Sequence, residues 1–124
     1  MNIIENALSL LSVVSLNLSE YPATVELIEV AAHDVADHIT ALHDRAAYRE
    51  ELATKESIEE PNESSRKAAR AEFLRSDGTY HEIKTETREA ERVRVQLSER
   101  AARLRREYRY GLLQLELGAL RLRA

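Results

Sequence analysis

The sequence predicts an all-α protein, an elongated antiparallel helical hairpin in which a short bridging helix joins two long ones and an extra apolar helix stands at the N-terminus. Ala, Leu, Glu and Arg dominate the 124 residues, with only three Gly and two Pro, which is a composition of long helices. Apolar residues recur at alternating spacings of three and four over two long segments, as heptads require. The length suits one hydrophobic core, so we expect a single domain over residues 1–124.

The first element is the apolar N-terminal run NIIENALSLLSVVSLNL. It has no basic residue before the apolar stretch and no small-residue cleavage pattern, so we do not expect a signal peptide. It is also shorter than the about 20 apolar residues that cross a bilayer. We expect a buried helix within Ile3 to Leu18, and no membrane contact.

The second element is a long helix that starts near Pro22, a residue that suits a first helical turn. It stops near Glu60, because Pro61 and Asn62 follow. Arg49 takes one position of its apolar seam, where an arginine more often sets register or oligomer state than binds a ligand. The other predicted seam residues are Tyr21, Val25, Ile28, Ala32, Val35, Ile39, Leu42, Ala46 and Ala53.

The bridging helix is predicted from Glu63 to Arg75, with Asn62 as its N-cap. Gly78, after Asp77, is expected to end it in the left-handed conformation.

Thr79 and Glu82 have the spacing of a capping box and are expected to open the longest helix, Tyr80 to about Arg123. At 1.5 Å per residue that helix is about 65 Å long, hence the expected elongation. Its predicted seam is Ile83, Thr87, Ala90, Arg94, Leu97, Ala101, Leu104 and Tyr108.

The end of this helix has two apolar stripes on nearly opposite sides, at about 100° per residue. The first long helix can cover one, and the N-terminal helix or a second copy the other. Gly111 and Gly118 are expected to let a neighbouring backbone approach closely. We therefore expect a homo-oligomer, most simply a dimer. The first stripe is Tyr108, Leu112, Leu115, Ala119 and Leu122; the second, the predicted oligomer interface, is Tyr110, Leu113, Leu117 and Leu120.

The charges are unevenly distributed along the chain. Residues 1–63 carry 13 acidic and three basic side chains, −10, whereas residues 64–124 carry nine and 15, +6. This favours antiparallel pairing of the two halves, within a chain or between chains. Eight arginines lie between Arg88 and Arg109, and those expected opposite the seam are candidates for nucleic-acid phosphates, namely Arg88, Arg92, Arg103 and Arg106.

Two alternatives stay open for these arginines. Interleaved glutamates, as in the i, i+4 pair Glu99 and Arg103, and the acidic first half favour a solvated or internally paired face. An acidic protein partner is the other alternative. Tyr108 and Tyr110 are candidate stacking groups for bases.

Nothing in the sequence predicts catalysis, a metal site or a cofactor. His33, His38 and His43 are spaced by five, so successive side chains point about 140° apart on a helix. A metal-dependent enzyme would have to use the i, i+4 pairs His33 with Asp37 and Asp34 with His38, each of which supplies only two ligands. There is no Gly-rich phosphate loop and no GxSxG motif. The chain has no Cys, which indicates a reducing, cytoplasmic setting.

The order of heptad helix, bridging segment SSRKAARAEFLRSDGTY and long segment HEIKTETREAERVRVQLSERAARLRREY resembles that of small helical-hairpin proteins encoded by tailed bacteriophages of high-GC hosts. The similarity spans about residues 25–120 and rests on the FLRSDGT turn, the Ala-rich first arm and the composition. It implies a phage protein in the host cytoplasm, an accessory to DNA recombination or a host-directed inhibitor. No functional residues are carried over.

The sequence thus predicts a non-enzymatic interaction or adaptor protein that self-associates through long amphipathic helices into a multi-helix bundle. The alternative is a nucleic-acid-binding accessory protein of DNA recombination or replication that uses the arginine face.

Overall fold

The computed structural model describes residues 2–13 and 15–123, and within these ranges the protein is helical without strands. The α-helices of these ranges are α1 (Ile3–Leu11), α2 (Tyr21–Glu56), α3 (Glu63–Ser76) and α4 (Gly78–Arg123). A single 3₁₀ turn, Leu18–Glu20, precedes α2. The predicted all-α fold, with a short helix between two long ones, is confirmed.

The helices build two compact units, and α2 and α4 contribute to both of them. The first unit consists of Met1–Ala36 with Arg92–Ala124 and contains α1; the second is Asp37–Glu91 and contains α3. The assignment of the chain to one domain stays a prediction.

In the first unit, α2 and α4 run antiparallel. Tyr21 near the start of α2 stacks on Tyr108, with ring centroids 6.0 Å apart, and Glu29, further along α2, pairs with Arg105, which precedes Tyr108 on α4. The buried apolar side chains of this unit are Ala7, Val25, Ile28, Ala31, Val35, Val93, Leu97, Ala101 and Leu104.

The second unit repeats the antiparallel arrangement of α2 and α4. The Nε2 atom of His43 lies 3.8 Å from Oε1 of Glu91, and further along α2 the Glu50 carboxylate accepts a hydrogen bond of 2.9 Å from Tyr80 Oη. The buried apolar side chains are Ile39, Leu42, Ala46, Ala53, Ile83 and Ala90. Thr87 is buried as well, and its hydroxyl donates to the Ile83 carbonyl at 2.7 Å, which satisfies a polar group in the core.

Two predicted seam positions are wrong by one residue. Ala31 is buried and Ala32 only half-buried, and Val93 is buried while Arg94 is exposed. Between Ile28 and Val35, and between Ala90 and Leu97, the buried residues are spaced three and then four apart. The predicted seams had the opposite order, four and then three. Heptad spacing allows either order, and the observed order of α4 buries a valine while it leaves a guanidinium in water.

The junction of α3 and α4 also differs from the prediction. Asn62 caps α3 as expected, accepting a hydrogen bond of 2.8 Å from Ser65 N. Gly78, however, has a negative φ and is the first residue of α4, so the left-handed glycine is wrong. Asp77 replaces the predicted Thr79 and Glu82 capping box, because its Oδ1 accepts from Tyr80 N at 3.2 Å.

The N-terminal apolar run forms a shorter and more exposed helix than expected. Asn2 caps α1 by accepting from Glu5 N at 2.7 Å, and α1 ends at Leu11. Within α1 only Ala7 is buried, whereas Ile3 and Leu8 are exposed. The residues of this run therefore do not form one buried helix up to Leu18.

Candidate interaction surfaces on α4

The last turns of α4 form an exposed apolar surface, which we call the apolar tail. It belongs to the first unit, and its large side chains are exposed by between 40% at Leu112 and 91% at Leu122. The predicted interface residues are among them, at 65%, 50%, 48% and 60% exposure for Tyr110, Leu113, Leu117 and Leu120. The complete tail is Tyr110, Leu112, Leu113, Leu115, Leu117, Leu120 and Leu122.

The tail is exposed because α2 begins too late in the chain to cover it. Tyr21, the first residue of α2, already lies opposite Tyr108, and its hydroxyl donates to Glu107 at 3.2 Å. Burial and this hydrogen bond raise the pKa of the Tyr21 phenol. Beyond Tyr108, Leu18 packs on Gly111, where an added Cβ would lie 2.6 Å from Leu18 Cδ1.

The prediction that the first long helix covers one of the two stripes is therefore wrong beyond Tyr108, on which Tyr21 of α2 stacks. Leu112, Leu115 and Leu122 of the first stripe are all exposed, as is the second stripe. The predicted approach of a neighbouring backbone is wrong at both glycines, since the atoms closest to Gly111 belong to the side chain of Leu18. Gly118 has nothing within 4 Å of an added Cβ.

Four arginines of α4 are exposed as the sequence analysis expected, and these we call the arginine face: Arg88, Arg92, Arg103 and Arg106. Among residues 2–13 and 15–123, none of the four makes an ion pair. The acidic first half instead pairs with Arg105, through Glu29. Of the candidate stacking groups, Tyr110 is exposed and Tyr108 is occupied by Tyr21.

Arg103 and Arg106 also line a cleft of about 690 Å³ between α1 and α4. Leu8 and Leu11 of α1, with Ser12 directly after the helix, form one wall of this cleft. Arg100, half-buried in the other wall, donates from Nη2 to the Val13 carbonyl. Helical periodicity does not reveal which face of α4 receives α1, so the sequence analysis missed this cleft. The remaining lining residues are Gln96 and Glu99.

No protein-family model, curated protein or solved structure matches this chain. The resemblance to phage helical-hairpin proteins therefore stays a prediction. Among the described residues, no helix has the length and apolar character needed to cross a membrane.

The three histidines of α2 point in different directions around the helix. His33 and His43 are exposed and His38 is half-buried. In the described part of the chain, no group of three or more His, Cys, Asp or Glu side chains is placed to hold a metal ion.

The second unit contains a polar cluster that the sequence analysis did not predict. Asp77 accepts a hydrogen bond of 2.6 Å from Arg49 Nε, and its side chain is 5% exposed. The Arg49 bond is the main cause that lowers the Asp77 pKa. Burial of the Tyr80 phenol raises its pKa, and its hydrogen bond to Glu50 raises that pKa further. The only sign of this cluster in the sequence was Arg49 at a seam position of α2.

Proposed function

We propose that this chain is a non-enzymatic interaction protein of the cytoplasm that self-associates through the apolar tail, most simply as a dimer. The observation that carries the proposal is that both stripes of the tail are exposed over consecutive turns. A fully buried Leu is worth about 1.5–3 kcal/mol relative to an exposed one. A contiguous exposed apolar surface of this kind marks an interaction site.

A second copy is the partner that the composition of the tail favours. The two stripes are separated by narrow polar lines, which include Gln114 and Glu116, so one helix presents two faces to neighbouring helices. Two copies related by a twofold axis offer each other the same apolar surface, as closed dimers do. A protein of another kind would have to present a complementary groove.

Light scattering after gel filtration tests this proposal. The chain has a mass of 14.1 kDa, and we expect a multiple of this mass at micromolar concentration, falling toward the monomer on dilution. A mass of 14.1 kDa at every concentration contradicts self-association. The proposal is then wrong even if the tail binds a different protein.

The second candidate function is a nucleic-acid-binding accessory role in DNA recombination or replication. The observation that favours it is that the arginine face is exposed without ion pairs to described residues. Guanidinium groups held away from carboxylates are available to phosphates. This role is compatible with a dimer, which would present the arginine face twice.

A further inference from the structure

The cleft between α1 and α4 has two chemically different walls. Leu8 and Leu11 give the α1 wall its apolar character, and Arg100, Arg103 and Arg106 supply three positive charges on the α4 wall. Glu99 is the one carboxylate among the lining residues. A volume of about 690 Å³ lies in the range of small-molecule sites, about 300–1,000 Å³.

Arg100 lines this cleft and carries one donor that is buried and unpaired. Its Nη2 atom is occupied by the Val13 carbonyl, but its Nε atom is buried and has no hydrogen-bond partner among the described residues. A buried donor without an acceptor is costly, and most such groups in proteins are paired. Within the described chain, Glu99 and Arg103 do not form their predicted ion pair, so the cleft keeps an excess of positive charge.

We propose that this cleft binds an amphipathic oxyanion, with a carboxylate or phosphate head at the arginines and an alkyl chain along Leu8 and Leu11. Arginine forks match both headgroups in geometry and charge. The alkyl chain would cover apolar surface of α1, a helix in which Leu8 is exposed. None of the residues that line the cleft belongs to the apolar tail.

Calorimetric titration of the full chain tests the proposal, with decanoate and decyl phosphate kept below their micelle concentrations. We expect saturable binding of one molecule per chain. Whichever of decanoate and decyl phosphate binds more tightly identifies the preferred headgroup. Acetate, which lacks the chain, and decyltrimethylammonium, which reverses the charge, should bind far more weakly. The proposal is overturned if neither anion binds or if the cationic amphiphile binds equally well.

Substitutions in and outside the cleft show where the ligand binds. Arg103→Gln and Arg106→Gln are exposed changes and should each weaken binding about tenfold, the size of one charge-assisted hydrogen bond. Glu99→Gln should tighten it, because it removes the carboxylate from the wall. Arg121→Gln, between Leu120 and Leu122 of the apolar tail, is the matched control and should have no effect. If Arg121→Gln weakens binding as much as Arg103→Gln, the amphiphile sits on the tail and the proposal is wrong.

Discussion

Arg49 Nε lies 2.6 Å from Asp77 Oδ2, which joins the C-terminal part of α2 to the residue that directly precedes α4 within the second unit. The same carboxylate accepts from Tyr80 N and so caps α4. One side chain therefore fixes both the start of a helix and its contact with a neighbouring helix.

Removing either partner of this ion pair should destabilise the protein, to different extents. Arg49→Ala leaves the nearly buried Asp77 carboxylate without its cation, whereas Asp77→Asn removes the charge and keeps a side chain that can cap the helix. We expect urea unfolding to show a larger loss for Arg49→Ala than for Asp77→Asn. Arg45→Ala, an exposed arginine of the same helix, is the control. Equal stability of Arg49→Ala and this control would contradict a structural role for the ion pair.

The ion pair should also make stability depend on pH in the acid range. The folded protein holds the pKa of Asp77 below its ordinary value, so the stabilisation is fully present above that ordinary value, about 3.9. It is lost as the pH falls through the lower, folded value. The difference in unfolding free energy between wild type and Asp77→Asn should therefore be constant near neutral pH and shrink in acid. A difference that grows in acid has the opposite sign and excludes this explanation.

The apolar tail can be tested with one charge at a time. Leu113→Asp and Leu117→Asp should each weaken self-association by more than about tenfold, since one buried Leu is worth about 1.5–3 kcal/mol. Both side chains are about half exposed in the single chain, so its helix content should hardly change. Gln114→Glu adds the same charge in the same segment between the stripes and serves as the control. An Asp variant with the wild-type mass at every concentration would contradict the role of the second stripe.

Two glycines of α4 should respond differently to alanine. Gly118→Ala should stabilise the chain by about 0.5–1 kcal/mol, the ordinary gain of alanine over glycine in a helix. Gly111→Ala should keep little of that gain, because the new Cβ would meet Leu18 Cδ1 at 2.6 Å. Chemical unfolding in the Leu117→Asp background separates these effects from self-association. Adding Leu18→Ala should restore the gain at Gly111, and failure to do so would rule out this contact as the cause.

The arginine face predicts steeply salt-dependent binding to DNA, if the second candidate function is correct. Changing Arg88, Arg92, Arg103 and Arg106 to Glu together should reduce the slope of log affinity against log salt by about 3 or 4. Gel-shift titration at several salt concentrations measures that slope. A control with the same change in charge alters basic residues outside the face, namely Arg45, Lys55, Lys67 and Arg123. No binding by wild type at low salt removes this function from consideration.

The sequence predicted those parts of the fold that depend on periodicity. Heptad spacing placed most of the buried residues of α2 and α4, and Asn62 marked the start of α3, because both signals are local. Arg94 shows the limit of the method, since heptad spacing permits two orders and only packing chose Val93. The Asp77-Gly78 pair is similar, because it fits both a glycine stop and an aspartate start.

The interaction surfaces were only partly predictable. The apolar tail was visible as two stripes, and the arginine face as four arginines on one side of a helix. Where α1 ends and which face of α4 it contacts depend on packing between distant segments. For this reason the Arg100 donor and its cleft appeared only in the structure.

The junction of α3 and α4 at Asp77 determines where the chain can tolerate an insertion. α3 ends at Ser76 and α4 begins at Gly78, so a single residue inserted directly after Asp77 would turn the rest of α4 by about 100° relative to this cap. The exposed stretch from Ile58 to Pro61 precedes the Asn62 cap of α3, so it can absorb an added residue as an ordinary loop does. Natural variants of different length should therefore differ in that loop and keep the spacing around Asp77 unchanged.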